Sequence, residues 1–315
     1  MNRAIFLLCL LLASCGEEPE IKVATPEISK IKVAASFSIL ADWVKQIGAD
    51  RVEVMTLVDA GMDPHLFEPS ATTLHQLSKA RLSLCLGCGF DNWLDKLSVS
   101  ALGRPAIAVG ESCRLRGVSA DGSSIYGTLG DLQNRKLEVD PHIWHDLDCA
   151  IDCCKSITEI LCKEDPAGAE HYRRRAKIYL IQLADLQSWA RMELESIPKG
   201  RRQLVSTHDC LSYLGDDLDL HVSGALLNSL STEAAEPSLG QMAKMVAEVK
   251  ASGAPAVFLE ASSGSRLAEA FAKESGLRLS PPLLAESLAP PGMPGDNFLD
   301  LYRYNIRTIA AGLAP

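Results

Sequence analysis

Between Gly168 and Pro198 no glycine or proline interrupts the chain. Tyr179, Leu183, Leu186, Ala190, Leu194 and Ile197 recur there at helical spacing, while Arg173, Arg174, Arg175 and Lys177 mark the other faces. Roughly 30 residues at about 1.5 Å each make a rod of about 45 Å, longer than one domain needs. This predicts a spine over residues 166–198 with a lobe attached on either side.

Both flanks alternate strand and helix. In residues 31–165 strands are expected at 31–36, 52–58, 82–86 and 106–109, with helices at 39–47, 69–79 and 93–97. In residues 199–315 strands are expected at 203–206, 220–223 and 256–260. Helices are expected from His208, over 237–250 and 265–274, and finally over 297–313. The alternation predicts an α/β fold of two lobes, each a mostly parallel sheet flanked by helices, joined by one long rigid spine helix. Residues 111–138, rich in Gly and Ser and weakly patterned, read as a long surface loop.

At the N-terminus, Met1-Asn2-Arg3 precedes an apolar run from Ala4 to Leu12 and then Ala13-Ser14-Cys15. About nine apolar residues are too few to span a bilayer, which takes roughly 20, so the pattern is that of an export signal. Cleavage before Cys15 and lipidation of its thiol would tether the mature chain to a membrane, facing the periplasm or the cell exterior. Residues 1–15 are thus a lipoprotein signal. Residues 16–30, broken by Pro19 and Pro26, form a flexible tether.

The remainder, with 47% hydrophobic and 23% charged residues overall, suffices to fill the cores of two lobes. Loss of residues 1–15 removes one cation, leaving 30 basic against 40 acidic residues. Such an acidic balance without a basic patch argues against a nucleic-acid partner. Of ten cysteines, eight lie beyond the signal, at 85, 88, 113, 149, 153, 154, 162 and 210. Export would expose them to oxidation, but spacing alone gives no connectivity. Cys85 and Cys88 have the spacing of half a zinc knuckle, but with no second pair they read instead as a disulfide or two buried thiols. Cys149, Cys153 and Cys154 fall on a helix and read as core packing.

Chemistry concentrates in three short segments. Asp-Pro-His occurs twice, at 63–65 and 140–142, and Ser-Thr-His-Asp occupies 206–209. Each reads as a strand end, where α/β folds collect ligands. His65, His142 and His208, delivered from separate parts of the chain, point to a transition metal held between lobes. Taken singly, each Asp-Pro-His is also a plain tight turn.

With these anchors the chain resembles the bacterial zinc and manganese solute-binding lipoproteins that feed ATP-driven metal importers. The resemblance runs from about Ile31 to the C-terminus. It rests on Asp63-Pro64-His65-Leu66-Phe67-Glu68-Pro69-Ser70, on Asp140-Pro141-His142-Ile143-Trp144, and on Ser206-Thr207-His208-Asp209 with Tyr213. Glu236-Pro237-Ser238, Phe258-Leu259-Glu260, Asp296-Asn297-Phe298 and Tyr304-Asn305 add to it.

The resemblance implies a metal site of His65 and His142 from the first lobe with His208 and Asp296 from the second. Asp296 rests on the resemblance alone, since an Asp after Pro294-Gly295 is otherwise a good helix cap. Three imidazoles and a carboxylate suit Zn2+ and accept Mn2+ or ferrous iron. Glu260 is expected to orient a ligand histidine or to play a local structural part. His145 stands where the family carries an apolar residue, and reads as a ligand, an outer partner or a solvent-facing side chain.

The implied partners are the membrane permease of an ABC importer and the bilayer, with the protein a monomer. On metal identity the departures conflict. Residues 111–138 lack the histidine-rich stretch of zinc-specific members, yet His208 is kept where manganese-preferring members often carry a carboxylate. The competing readings are a secreted zinc hydrolase and a surface adhesion lipoprotein. Against the hydrolase, no His-Glu-x-x-His helix or Gly-x-Ser-x-Gly elbow is present.

Overall fold

The computed structural model describes residues 30–120, 122–227, 230, 238–258, 260–261 and 265–315. The expected signal, Cys15, nearly all of the tether, and the helix start expected at Glu236-Pro237 lie outside these residues.

The first sheet is made of β1 (Ile31–Phe37), β2 (Val52–Val58), β3 (Leu82–Cys85) and the short β4 (Ile107–Ala108). They pair in parallel in the order β2-β1-β3-β4, with Val33 of β1 opposite both Val54 and Leu82. β1 is buried at every position but Lys32, as a central parallel strand covered on both faces must be. The crossovers are α1 (Ser38–Gly48), α2 (Ala71–Leu77) and α3 (Trp93–Leu102). Ser70 starts α2 with a capping box: its Oγ accepts the Thr73 N–H and Thr73 Oγ1 accepts the Ser70 N–H, both at 3.2 Å.

Residues 111–138 depart from the loop expected there. β5 (Leu115–Val118) pairs antiparallel with β6 (Ser124–Gly127) and β7 (Glu138–Val139), and α4 (Leu129–Asn134) lies between β6 and β7 in sequence. The glycines that suggest a loop are what let this small sheet form a core. A Cβ on Gly117 would stand 2.7 Å from Leu132 Cδ2, so the bare backbone admits the buried Leu132 side chain.

Asp146 caps α5 (Leu147–Glu164), its carboxylate accepting the Asp148 N–H at 2.8 Å. The spine follows as α6 (Ala169–Glu195), 27 residues and so about 40 Å long. Its buried residues are Tyr172, Ala176, Tyr179, Leu183, Leu186, Ala190 and Leu194, the face that the sequence pattern marks.

The second lobe holds β8 (Gln203–His208), α7 (Ser212–Leu218), β9 (His221–Leu227), α8 (Leu239–Ser252), β10 (Ala256–Val257), α9 (Ser265–Ser275), β11 (Arg278–Leu279) and α10 (Phe298–Leu313). β8 pairs with β9 and β10 with β11, both in parallel. The Phe258 N–H donates to Val205 O at 2.9 Å, setting β10 beside β8. β8 runs two residues further than expected, so His208 ends a strand and the helix begins only at Ser212.

α6 packs against α1, α5 and α10. The last helix also returns to the first lobe. Buried Asp42 on α1 accepts the Phe298 N–H at 3.0 Å, and the Trp43 ring meets Phe298 edge-on with centroids 5.2 Å apart. A single apolar cluster runs from Val33 and Trp43 through Tyr179 and Leu183 to Leu204, Phe258 and Ile306. With one close-packed core shared across the spine, relative motion of the halves requires repacking and not a free hinge. Among the described residues no helix is long and apolar enough to cross a membrane.

Candidate metal centre

The two Asp-Pro-His segments do the same local work. Asp63 Oδ1 accepts the His65 N–H at 2.9 Å, and Asp140 Oδ1 accepts the His142 N–H at 3.1 Å. Each is a turn closed by its own aspartate, which sets the backbone of the histidine two residues on. His208 comes by another route, as the last residue of β8, where its N–H donates to Glu260 Oε1 at 3.1 Å.

The rings are then aimed by carboxylates. His142 Nδ1 donates to Asp140 Oδ1 at 2.8 Å and His208 Nδ1 donates to Glu260 Oε2 at 2.5 Å. With the proton held on Nδ1, the lone pair is left on Nε2. Asp140 is fixed in turn by Arg116, whose guanidinium lies 3.1 Å away, and by Tyr213, whose hydroxyl donates to Asp140 O at 3.0 Å. Cys210 also lies within reach of His208 and Glu260, but Glu260 already holds the Nδ1 of His208.

The Nε2 atoms converge on Glu286. His142 Nε2 is 3.3 Å from both His65 Nε2 and His208 Nε2. Glu286 oxygens stand 3.4 Å from His65 Nε2, 3.6 Å from His142 Nε2 and 3.3 Å from His208 Nε2. Four donors at about 2.05 Å around a tetrahedral zinc are about 3.3 to 3.4 Å apart along each edge. The measured separations of 3.3 to 3.6 Å lie close to those edges, with His65 facing one Glu286 oxygen and His142 and His208 the other.

Electrostatics agrees with a cation at the centre. Glu286 is buried and its oxygens face no donor other than the imidazole Nε2 atoms, a costly arrangement unless positive charge is supplied there. Burial pushes its carboxyl up, but the facing histidines outweigh burial and hold it well below the usual range. Burial likewise disfavours a charged His208, but Glu260 and Glu286 override it and raise the imidazole to about 11. Without a metal, a proton takes the position that the charge balance demands.

Glu286 is the site residue that sequence reasoning missed. It sits in an irregular segment between β11 and α10, where no periodicity or familiar motif marks it. One signal was present: it is the lone charged residue between Arg278 and Asp296. Its loop is tied to three elements. Trp144 Nε1 donates to Ala285 O at 2.7 Å, the Leu284 N–H to Asn305 Oδ1 at 2.8 Å, and the Leu288 N–H to Ser38 Oγ at 3.0 Å. The carboxylate is thereby held against the turn of His142, α10 and α1 at once.

Of the four expected ligands, the structure brings together His65, His142 and His208 and leaves Asp296 outside. Asp296 is exposed, and its Oδ2 accepts the Gly292 N–H at 2.8 Å. The left-handed turn residues Gly292 and Gly295 carry the chain outward before α10, so the Asp serves that turn. Glu260 stands where a residue orienting His208 was expected.

His145 is neither at the cluster nor at the surface. It is 1% exposed, its Nε2 has no partner, and burial lowers the imidazole to about 4, so it is neutral at physiological pH. His145→Leu should therefore leave metal stoichiometry unchanged. It should shift stability by no more than about 1 kcal/mol, with stabilisation the favoured sign because an unpaired polar atom is removed. Thermal melts with and without zinc check this.

His65 is the least enclosed of the four donors. It borders a cleft of about 960 Å³ whose lining includes Phe67, Phe90, Trp93, Asp95, Glu111 and Glu138. An acidic, solvent-connected mouth beside one ligand suits the entry of a cation.

Residues 33–312 match the family model described as the periplasmic zinc-uptake complex component A, ZnuA. The iron ABC transporter substrate-binding lipoprotein MtsA of Streptococcus pyogenes serotype M1 is 27% identical, over 98% of this chain and 96% of that protein. The manganese ABC transporter substrate-binding lipoprotein scaA of Streptococcus gordonii is 28% identical, over 100% of both. Among solved structures, the periplasmic zinc-binding protein TroA from Treponema pallidum aligns with a TM-score of 0.78 and 27% identity, over 91% of this chain and 100% of that one.

Proposed function

The chain belongs to the family of periplasmic zinc-uptake component A proteins, and on that premise we propose that it captures one divalent transition ion and hands it to the permease of an ABC importer. The observation that carries this reading is the four-donor cluster of His65, His142, His208 and Glu286, the last three buried, with nitrogen–nitrogen and nitrogen–oxygen separations of 3.3 to 3.6 Å. Zinc is the favoured cargo, because three imidazoles and one carboxylate at this spacing match its coordination, and manganese is next. Relatives named for iron and for manganese, and a structural neighbour named for zinc, support a divalent cargo and leave its identity to the test.

In this reading Asp140 and Glu260 orient His142 and His208 without touching the ion. A four-donor set leaves no open position for a reactive water, which favours a carrier over a hydrolase. The donors come from residues 31–165 and 199–315, bridged by a spine over 166–198. Release is coupled to docking on the permease, which would separate the loop of Glu286 from the histidine turns. The lipoprotein names of the relatives support a lipid anchor, which this reading places at Cys15 after cleavage before it, on a chain that acts as a monomer outside the membrane.

The test is elemental mass spectrometry of residues 16–315 after loading with equal zinc and manganese and removal of free ion. One zinc per chain is expected. A chain that retains no metal, or several loosely, would sink the reading.

A further inference from the structure

Four of the eight described cysteines gather in the first lobe, and the proposed function uses none of them. Cys113 lies in the turn before β5, and Cys149 and Cys153 lie one turn apart on α5. Cys88 sits in the loop after β3, its Sγ 3.6 Å from where a Cβ on Gly110 would stand. All four are buried, as thiols. Within this group Cys113 Sγ and Cys153 Sγ are 3.8 Å apart, in van der Waals contact, and Cys113 Sγ also points at Cys149 O at 3.6 Å.

We propose that Cys113 and Cys153 are joined by a disulfide when the chain folds under oxidising conditions. The sulfurs must close by a little under 2 Å to reach bonding distance. Cys153 is held in the middle of a helix, whereas Cys113 sits in a turn that can give. Each thiol loses a proton, one S–S bond forms, and two electrons pass to a disulfide oxidant such as oxidised glutathione, which leaves as two thiols. Because both thiols are buried in the folded chain, the bond forms during folding and then persists out of reach of reductant.

The bond has a consequence for the ion site. It closes a loop of roughly 40 residues, long enough to restrict the unfolded chain substantially. That loop contains β5, with Arg116, and the Asp140-Pro141-His142 turn that Arg116 braces. The crosslink therefore ties the support of His142 to α5 without contributing a ligand.

That the chain meets such an oxidant in the cell rests on the export reading above, so bond and export are tested separately. For the bond, the full chain is refolded in detergent with a mixture of reduced and oxidised glutathione. Free thiols are alkylated under denaturing conditions, and the unreduced digest is mapped by mass spectrometry. A Cys113–Cys153 peptide in most copies is expected. Reductant added during denaturation should lower the melting temperature by several degrees, and should have no such effect on the Cys113→Ser/Cys153→Ser double variant. Alkylation of both residues, or pairing of either with Cys88 or Cys149, overturns the proposal. Fractionation of expressing cells reports on export alone: a cytosolic chain would overturn that reading and leave the glutathione result to judge the bond.

Discussion

Glu286→Gln should weaken zinc binding by on the order of 10³-fold, while Asp296→Asn leaves it within about twofold. Glutamine keeps the size and the loop contacts of Glu286 but removes the charge that three Nε2 atoms surround at 3.3 to 3.6 Å. Removing one member of a buried charge arrangement costs about 3 to 5 kcal/mol, which is two to four decades of affinity. Asp296 is exposed and caps a turn, so its amide loses no contact with the ion. Competition titration against a chelator of known affinity reads both variants on one scale. If Asp296→Asn abolishes binding and Glu286→Gln does not, the assignment of the fourth donor is wrong.

The second large effect is on pH. In the metal-free protein His208 carries a proton at neutral pH, because Glu260 and Glu286 raise it to about 11 against the effect of burial. An imidazole raised in the fold stabilises the metal-free state fully below its unfolded value of about 6.5, and that contribution is lost as pH rises through about 11. Glu286 acts in the other direction. Held low in the fold, it contributes above the unfolded value of about 4.3 and is lost only well below it.

Between roughly pH 4.3 and 6.5 both contributions are complete, so the proton substitutes best for the metal in that window. The stabilisation conferred by zinc should therefore grow with pH, its affinity rising about tenfold per unit near neutrality as one proton is displaced. Melting temperatures with and without zinc at pH 5.5, 6.5 and 7.5 measure this. A zinc-induced shift that is flat or falls with pH would contradict a protonated His208.

Much of this was legible in the sequence because it is governed by local chemistry. The spine could be read from the uninterrupted helical spacing of Tyr179, Leu183, Leu186, Ala190 and Leu194, all of which are buried on one face of α6. His65 and His142 could be read because Asp-Pro-His is a self-contained device: the aspartate closes its own turn and presents the residue two positions on. Alternating apolar segments announced the parallel sheet, since each strand buried on both faces leaves the same mark wherever it sits.

What the tertiary structure decided depended on contacts between segments far apart in sequence. The segment 111–138 formed a sheet because Leu132 found bare backbone at Gly117, and composition alone reads those glycines as loop. His145, whose neighbours in sequence suggest a site residue, was buried by packing. The fourth donor came from Glu286, a residue with no local pattern, held in place by Trp144, Asn305 and Ser38, whereas Asp296, in a recognisable motif, was turned outward by the glycines beside it. Local sequence determined which side chains were prepared to bind an ion. Only long-range packing decided which carboxylate completed the tetrahedron, because a donor's position is set by everything its loop is tied to.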